Sequence, residues 1–252
     1  MAVSIRNIVF GCPDGTWNGN RWEGPPRVLA EFYAALLGMR IIREDWLVIA
    51  GDEASFPRLA FDEGPSEYIA PRWPDPAYPQ QVHLDISVPD LAAAGELVLG
   101  LGASLLNDQG VYRTYADPIG HPFDLYTASL ATPFVHRIVF DCPDPAALAR
   151  FYGELLHLPS TVETPHGLLT RGPERDRFPL LAFQRVEDYR PPRWPDPRFP
   201  QQVHLDFHVP PGGAVSAHAE RLGATRMPEM GGSCPVYTDP AAHPFCLCSP
   251  GE

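Results

Sequence analysis

Two short segments of this 252-residue chain carry the side chains best suited to chemistry. Gln80-Gln81-Val82-His83-Leu84-Asp85 returns 121 positions later as Gln201-Gln202-Val203-His204-Leu205-Asp206. Residues two apart on an extended strand share a face, so each histidine sits beside an aspartate. Such a pair fixes the imidazole tautomer, or leaves the aspartate free to act as an acid or base. A histidine that lines a cleft and hydrogen-bonds a ligand or nearby backbone fits the same pattern, and the residues alone leave these roles open.

The elements that must position these pairs are themselves duplicated. Ile8-Val9-Phe10-Gly11-Cys12-Pro13-Asp14 matches Ile138-Val139-Phe140-Asp141-Cys142-Pro143-Asp144, and Leu29-Ala30-Glu31-Phe32-Tyr33 matches Leu148-Ala149-Arg150-Phe151-Tyr152. Pro71-Arg72-Trp73-Pro74-Asp75-Pro76 returns at 192–197, and Asp117-Pro118 with His121-Pro122-Phe123 returns as Asp239-Pro240 with His243-Pro244-Phe245. Four blocks in one order imply two homologous domains, 1–129 and 134–252, joined near Ser129–Pro133. The period is too long for a solenoid, so each copy owns a core. The first copy carries about 11 extra residues around Thr16–Pro26, including Trp17 and Trp22.

Within each copy the pattern alternates strand, helix and strands. Ser4–Phe10 and Phe134–Phe140 are rich in β-branched and aromatic residues, as strands prefer. Asp144-Pro145 reads as an N-cap with proline at the first helical position, followed by Leu148, Phe151, Tyr152, Leu155 and Leu156 at helical spacing. Leu29, Phe32, Tyr33, Leu36 and Leu37 repeat that face, and Gly38 stops it. Short strands follow near Met39–Ala50 and Arg58–Asp62. The proline cluster at 71–76 cannot donate regular ladder bonds and reads as a linker. Val82–Val88 is a strand, Asp90 caps a helix running to Leu101, and further strands end at Tyr126. Each copy is βαβββ twice over.

The chain has 31 acidic and 19 basic residues, a net charge of −12. It lacks the Lys and Arg clusters that phosphate binding uses, which argues against nucleic acid or an anionic membrane as a partner. No run of about 18 apolar residues offers a membrane span. The first ten residues read as a strand rather than a signal. Cys12, Cys142, Cys234, Cys246 and Cys248 form an odd set without C-x-x-C spacing, the pattern of buried reduced thiols in a cytoplasm. Dinucleotide, phosphate-loop, nucleophile-elbow and H-E-x-x-H signatures are absent.

Asp-Cys-Pro-Asp-Pro-Ala-Ala-Leu-Ala-Arg-Phe-Tyr at 141–152, the two Val-His-Leu-Asp segments, Leu-Gly-Ala at 101–103 and 222–224, and Asp-Pro-x-x-His-Pro-Phe at 117–123 and 239–245 together resemble the vicinal oxygen chelate superfamily. Glyoxalase I, bleomycin-resistance proteins and extradiol dioxygenases belong to it. The resemblance implies an α+β fold of tandem glyoxalase-like domains, each of two βαβββ modules whose curled sheets form a cleft. It also implies metal-ligand positions on the first, fourth, fifth and last strands. In the first copy these hold Asn7, only Asp62 near Leu59–Asp62, His83 and Asp124. In the second they hold Arg137, nothing acidic near Leu181–Gln184, His204 and Cys246. His83 and Asp124 are therefore the candidate ligands for a divalent ion such as Ni, Mn, Fe or Zn. Arg137 favours an anionic ligand or pairs with Asp206 or another acid. By strict alternation, His136 should then face away.

His121 and His243 follow tight turns and read as turn stabilisers. Trp73 and Trp194 read as linker anchors or as a lid, and Trp46 with Trp17 and Trp22 gives the first copy spare surface for stacking a ligand. The expected ligand-binding set is Asn7, Trp46, His83, Asp85, Asp124, Arg137 and His204. Two functions follow: a binding protein that sequesters or carries a small molecule in the first domain's cleft without a complete metal site, or a metal-dependent lyase, isomerase or dioxygenase using His83 and Asp124. A homodimer is compatible with either.

Overall fold

The computed structural model describes residues 3–52, 56–63, 68–129, 131–158, 161–164, 169–171, 179–194, 196, 199, 201–227 and 234–249. Part of the second proline cluster, at 195, 197, 198 and 200, lies outside them. Four βαβββ modules follow one another. The first holds β1 (Ser4–Cys12), a hairpin of β2 (Thr16–Trp17) and β3 (Trp22–Glu23), α1 (Pro25–Leu37), β4 (Arg40–Arg43), β5 (Leu47–Ala50) and β6 (Arg58–Glu63). The second holds β7 (Val82–Val88), α2 (Leu91–Gly100), β8 (Ser104–Asp108), β9 (Tyr112–Ala116) and β10 (Pro122–Thr127). The third holds β11 (Phe134–Cys142), α3 (Pro145–Leu155), β12 (Val162–Glu163), β13 (Leu169–Arg171) and β14 (Leu180–Arg185). The fourth holds β15 (Val203–His208), α4 (Ala214–Arg221), β16 (Thr225–Arg226), β17 (Val236–Thr238) and β18 (Pro244–Cys248). The fold is α+β, with two tandem glyoxalase-like domains of two modules each.

The caps act where the sequence places them. Asp90 accepts from the Ala92 and Ala93 amides, and Asp144 accepts from those of Ala146 and Ala147, satisfying first-turn donors that have no partner within the helix. Gly38 ends α1 in the left-handed region at φ 64°, a conformation that glycine adopts without a Cβ penalty. The 11-residue insertion is the β2–β3 hairpin, with Trp17 and Trp22 ring centroids 5.8 Å apart. Trp22 donates from Nε1 to the Asp45 carbonyl. Both rings are thus engaged at the hairpin and not in a cleft.

The hydrogen-bonded pairing of the modules crosses the domains. One eight-stranded sheet runs β16-β17-β18-β15-β1-β6-β5-β4 and joins the fourth module to the first. The other runs β12-β13-β14-β11-β7-β10-β9-β8 and joins the third to the second. In β1 the side chains of Ile8, Phe10 and Cys12 enter the main core, as do Leu84 and Ile86 of β7. The helices pack between the sheets: Phe32 of α1 meets Phe123 of β10 edge-on at 5.7 Å between centroids, although α1 also packs on β5 and β6. The two modules of a domain therefore share an inner core back to back, and their outer faces look away from each other.

The histidines of the Asp-Pro turns are structural, as expected. Asp117 Oδ1 accepts from the amides of Ile119, Gly120 and His121, while Oδ2 lies 3.0 Å from His121 Nδ1 and accepts from Tyr33 at 3.1 Å. Tyr68 closes the array against His121 Nε2 at 2.7 Å. Asp239, His243, Tyr152 and Tyr189 repeat it.

The reading of five reduced cysteines is corrected. Cys234 and Cys248 form a disulfide, with Cα atoms 4.5 Å apart, and Cys12, Cys142 and Cys246 are buried and outside any disulfide. The antiparallel register explains it. Val236 lies opposite Cys246, so two residues back from the one and two residues on from the other Cys234 falls opposite Cys248. Spacing rules look for short C-x-x-C intervals and miss a cross-strand pair of this kind.

Candidate functional site

The expected cleft residues do not gather in one place. Asn7 and Trp46 belong to the outer face of the first sheet, whereas His83, Asp85 and Asp124 belong to that of the second. Strand alternation fixes this. Ile8 and Phe10 point into the shared core, so Asn7 and Val9 point out; Leu84 and Ile86 point in, so His83, Asp85 and Ser87 point out on the other side. The expectation of a single first-domain cleft fails because the domain's two modules stand back to back. Each cleft combines residues from both domains.

In the first cleft, β1 lies beside β15 with Asn7 opposite Asp206. Asn7 Nδ2 donates to Asp206 Oδ2 at 2.8 Å, and His204 Nε2 lies 3.4 Å from Asp206 Oδ1. Cys246 of β18 lies opposite Asp206 on the other flank. One donor atom from each of His204, Asp206 and Cys246 lies within 4.8 Å of the others. Burial opposes a charge on His204, but hydrogen bonds to Asp206 and Cys246 outweigh it and push the imidazole up to about 10. Burial also opposes charge on Asp206, yet His204 and Asn7 hold it below the ordinary carboxylate range. Burial raises the Cys246 thiol, with His204 partly offsetting it. These shifts favour an imidazolium–carboxylate pair beside a thiol, while His204 Nδ1 is buried without a hydrogen-bond partner.

An apolar wall and two arginines border this cleft, Arg58 of β6 lying opposite Asn7. Val9, Val48 and Ala60 form a small cluster with Ile42 and Trp46, and Arg43 lies 5.8 Å from the Trp46 ring. Trp194 packs on Val236, Cys246 and Cys248, anchored on its own domain and bordering the cleft.

In the second cleft Arg137 of β11 lies opposite Asp85 of β7, and Asp124 of β10 lies opposite Asp85 on the far side. Arg137 Nε approaches Asp85 Oδ2 to 2.5 Å as an ion contact that is not aligned as a hydrogen bond. The partner of Arg137 is thus Asp85 and not Asp206. His83 Nε2 lies 3.6 Å from Asp85 Oδ1. Burial raises the Asp85 carboxyl to about 6, even though His83 and Arg137 pull it down. Asp141, buried on the same strand as Arg137, is likewise raised to about 6 by burial. The Arg137 guanidinium sits 5.1 Å from the Tyr126 ring, which stacks on Tyr112 at 5.1 Å between centroids. Tyr126 also donates to Asp124 at 3.4 Å. Neither tyrosine was singled out by the sequence, although alternation along β10 from Asp124 points to Tyr126.

His136 is a second correction. A β-bulge shifts the register between Val135 and Arg137, so strict alternation breaks there. Arg137 faces Asp85, and His136 also reaches the outer face, its Nδ1 3.0 Å from Ser87 Oγ. Burial, then the nearby Arg137 charge, lowers its pKa.

The two clefts answer differently to a divalent ion. His83, Asp85 and Asp124 bring donor atoms within 4.8 Å of one another, but the Arg137 cation already rests against the central carboxylate, and an ion there would face like-charge repulsion. His204, Asp206 and Cys246 offer nitrogen, oxygen and sulfur with a neutral amide beside them, a donor set that suits a borderline-soft ion such as Zn²⁺.

Comparison with known proteins agrees with this architecture. The family model of the glyoxalase-like domain matches residues 24–126 and 137–248. Glyoxalase I from Zea mays superposes with a TM-score of 0.65 at 13% identity, covering 98% of this chain and 92% of that one. A putative dioxygenase from Bacillus subtilis superposes with a TM-score of 0.63 at 12% identity, covering 100% and 86%. Both alignments span all four modules. No curated protein matches the sequence. No helix among the described residues is long and apolar enough to cross a membrane.

Proposed function

Since the chain belongs to the glyoxalase-like domain family of the vicinal oxygen chelate superfamily, we propose that it binds a small molecule, with the outer cleft of the second sheet as a metal-free binding site. The observation that carries this reading is the Arg137–Asp85 ion pair at the cleft centre. It supplies a fixed positive charge where a metal would otherwise stand. Arg137 offers planar in-plane donors, Asp124 and His83 offer acceptors, and the Tyr112–Tyr126 pair offers a flat face. Those groups suit a compact polar ligand with a planar part, held by stacking and hydrogen bonds.

Metal content and metal titration test the reading. Protein purified without chelator is expected to carry no ion whose retention depends on His83, so His83→Ala leaves metal content unchanged. Arg137→Gln, by removing the resident cation, is expected to gain Zn²⁺ affinity at His83, Asp85 and Asp124 by at least about tenfold, the ratio that corresponds to roughly 1.4 kcal/mol. A stoichiometric ion in the wild type that disappears in His83→Ala refutes the proposal.

The donor set of the first cleft supports a second reading, a metal-dependent enzyme. His204, Asp206 and Cys246 would hold the ion there, in place of the His83 and Asp124 expected from the sequence. A bound divalent ion supplies Lewis acidity toward a substrate oxygen. Asn7 would orient Asp206 through its 2.8 Å hydrogen bond, and Trp46 and Trp194 would border the bound molecule. Loading must displace protons from His204 and Cys246, so zinc addition is expected to acidify a weakly buffered solution and to raise Tm. Both responses should vanish in Cys246→Ala.

A further inference from the structure

A cavity of about 470 Å³ lies where the proline-rich segments of the two domains meet, and none of its described lining residues is one of the cleft residues named above. Its walls come from equivalent positions in the two copies. Tyr78 answers Phe199 and Gln81 answers Gln202, each pair 121 residues apart. The glutamines lock the two halves together: the Gln81 amide donates to Gln202 Oε1 at 2.8 Å, the Gln202 amide donates to Gln81 Oε1 at 3.3 Å, and Gln202 Nε2 donates to the Pro79 carbonyl at 2.7 Å. The cavity therefore straddles the internal twofold relation, over a hydrogen-bonded seam.

Its charge departs from that twofold at one position, since Arg193 on Phe199 has a counterpart in Arg72, 4.2 Å from the Tyr78 ring. The position held by Ile69 in the first copy is Arg190 in the second, and both line the cavity. Arg193 joins Arg190 on the same wall, its guanidinium 3.2 Å from the centroid of Phe199. Stacking on a ring leaves the in-plane N–H groups of a guanidinium available to an anion. Among the described lining residues there is no acid, and neither arginine makes an ion pair with a described residue. In a chain of net charge −12, two cations thus line an aromatic and proline wall to which no described acid contributes.

We propose that this cavity is a second binding site, specific for a small aromatic carboxylate. The carboxylate meets the edges of Arg190 and Arg193, and the ring lies among Tyr78, Phe199 and the neighbouring prolines. The volume falls within the range of about 300–1,000 Å³ typical of small-molecule pockets. The proposal rests on none of the cleft residues and does not depend on whether either cleft holds a metal.

Calorimetric titration of the full chain with 2-naphthoate, and separately with 2-naphthol and with inorganic phosphate, tests it. Naphthoate is expected to bind one per chain with Kd below about 1 mM. Arg190→Gln and Arg193→Gln should each weaken it by about tenfold, as loss of a hydrogen bond to a charged group does. Both arginines are exposed, so the variants are expected to keep the fold, and Arg193→Lys retains the charge while losing the fork. Naphthol and phosphate should each bind at least about tenfold more weakly than naphthoate, because each lacks one half of the recognition. Absence of naphthoate binding, binding that survives both glutamine substitutions, or equal affinity for either comparison titrant overturns the proposal. So does a naphthoate signal abolished by Arg137→Gln or His204→Gln, which would place the ligand in a cleft.

Discussion

The two clefts are built from equivalent strands in the same order, and substitutions on them, Arg58 for Leu180 among them, make them chemically unlike. Asn7 in one stands where Arg137 stands in the other, and Cys246 stands where Asp124 stands. The His-x-Asp pair is common to both. Its surroundings decide where the positive charge resides: on His204, raised to about 10, in the first cleft, and on Arg137 in the second. A neutral amide and a thiol leave the histidine as the cation that balances the aspartate. A guanidinium takes over that task and leaves Asp85 raised to about 6 by its burial. One scaffold thus yields a soft donor cluster on one side and a resident ion pair on the other.

The contrast is most sharply broken at Arg137. Arg137→Ala strands the buried Asp85 carboxylate and is expected to cost about 3 kcal/mol in urea unfolding, as loss of one partner of a buried pair does. Asn7→Ala in the first cleft removes one hydrogen bond to a carboxylate that keeps His204, and about 2 kcal/mol is expected. Equal losses would mean that the two clefts carry their charge alike.

The same point is sharpened through pH. His204 is raised in the folded state, so its stabilising contribution is whole below the unfolded value of about 6.5 and is lost as pH climbs through about 10. Asp85 is also raised, so its contribution is whole below about 3.9 and is lost as pH climbs through about 6. Unfolding free energies measured from pH 4 to 10 should therefore lose their upper slope in His204→Gln and their lower slope in Asp85→Asn. The least effect is expected at Tyr126→Leu, about 1 kcal/mol from the lost contact with Arg137, read by thermal unfolding.

The sequence revealed the duplicated modules, the capped helices and the His-x-Asp pairs, because those features are local and repeat. Ile8 and Phe10 against Asn7, or Leu84 and Ile86 against His83, already declare which side chains face outward. What the spacing could not reveal is which outward faces meet, since Asn7 and Asp206 are 199 residues apart and nothing local specifies that contact. His136 escaped for another reason. One extra residue in β11 turns it to the face that alternation denied it. Tyr126 follows from Asp124 by the strand period, yet its value depends on a guanidinium contributed by the other domain.

The exchange of modules between sheets has a further consequence, for assembly. β1 and β7 each have one neighbour in their own module, β6 and β10, and obtain the other from the second domain, through β15 and β11. While the chain is being synthesised from its N-terminus, the first domain must wait with two strand edges open. Edges of that kind recruit whatever strand arrives first. Closure of the first sheet requires a contact across most of the chain length, which is the slow class of folding event. A second nascent chain in the same state presents the same edges, so the tether between the domains, by keeping the correct partner close, turns an encounter between molecules into one within a molecule.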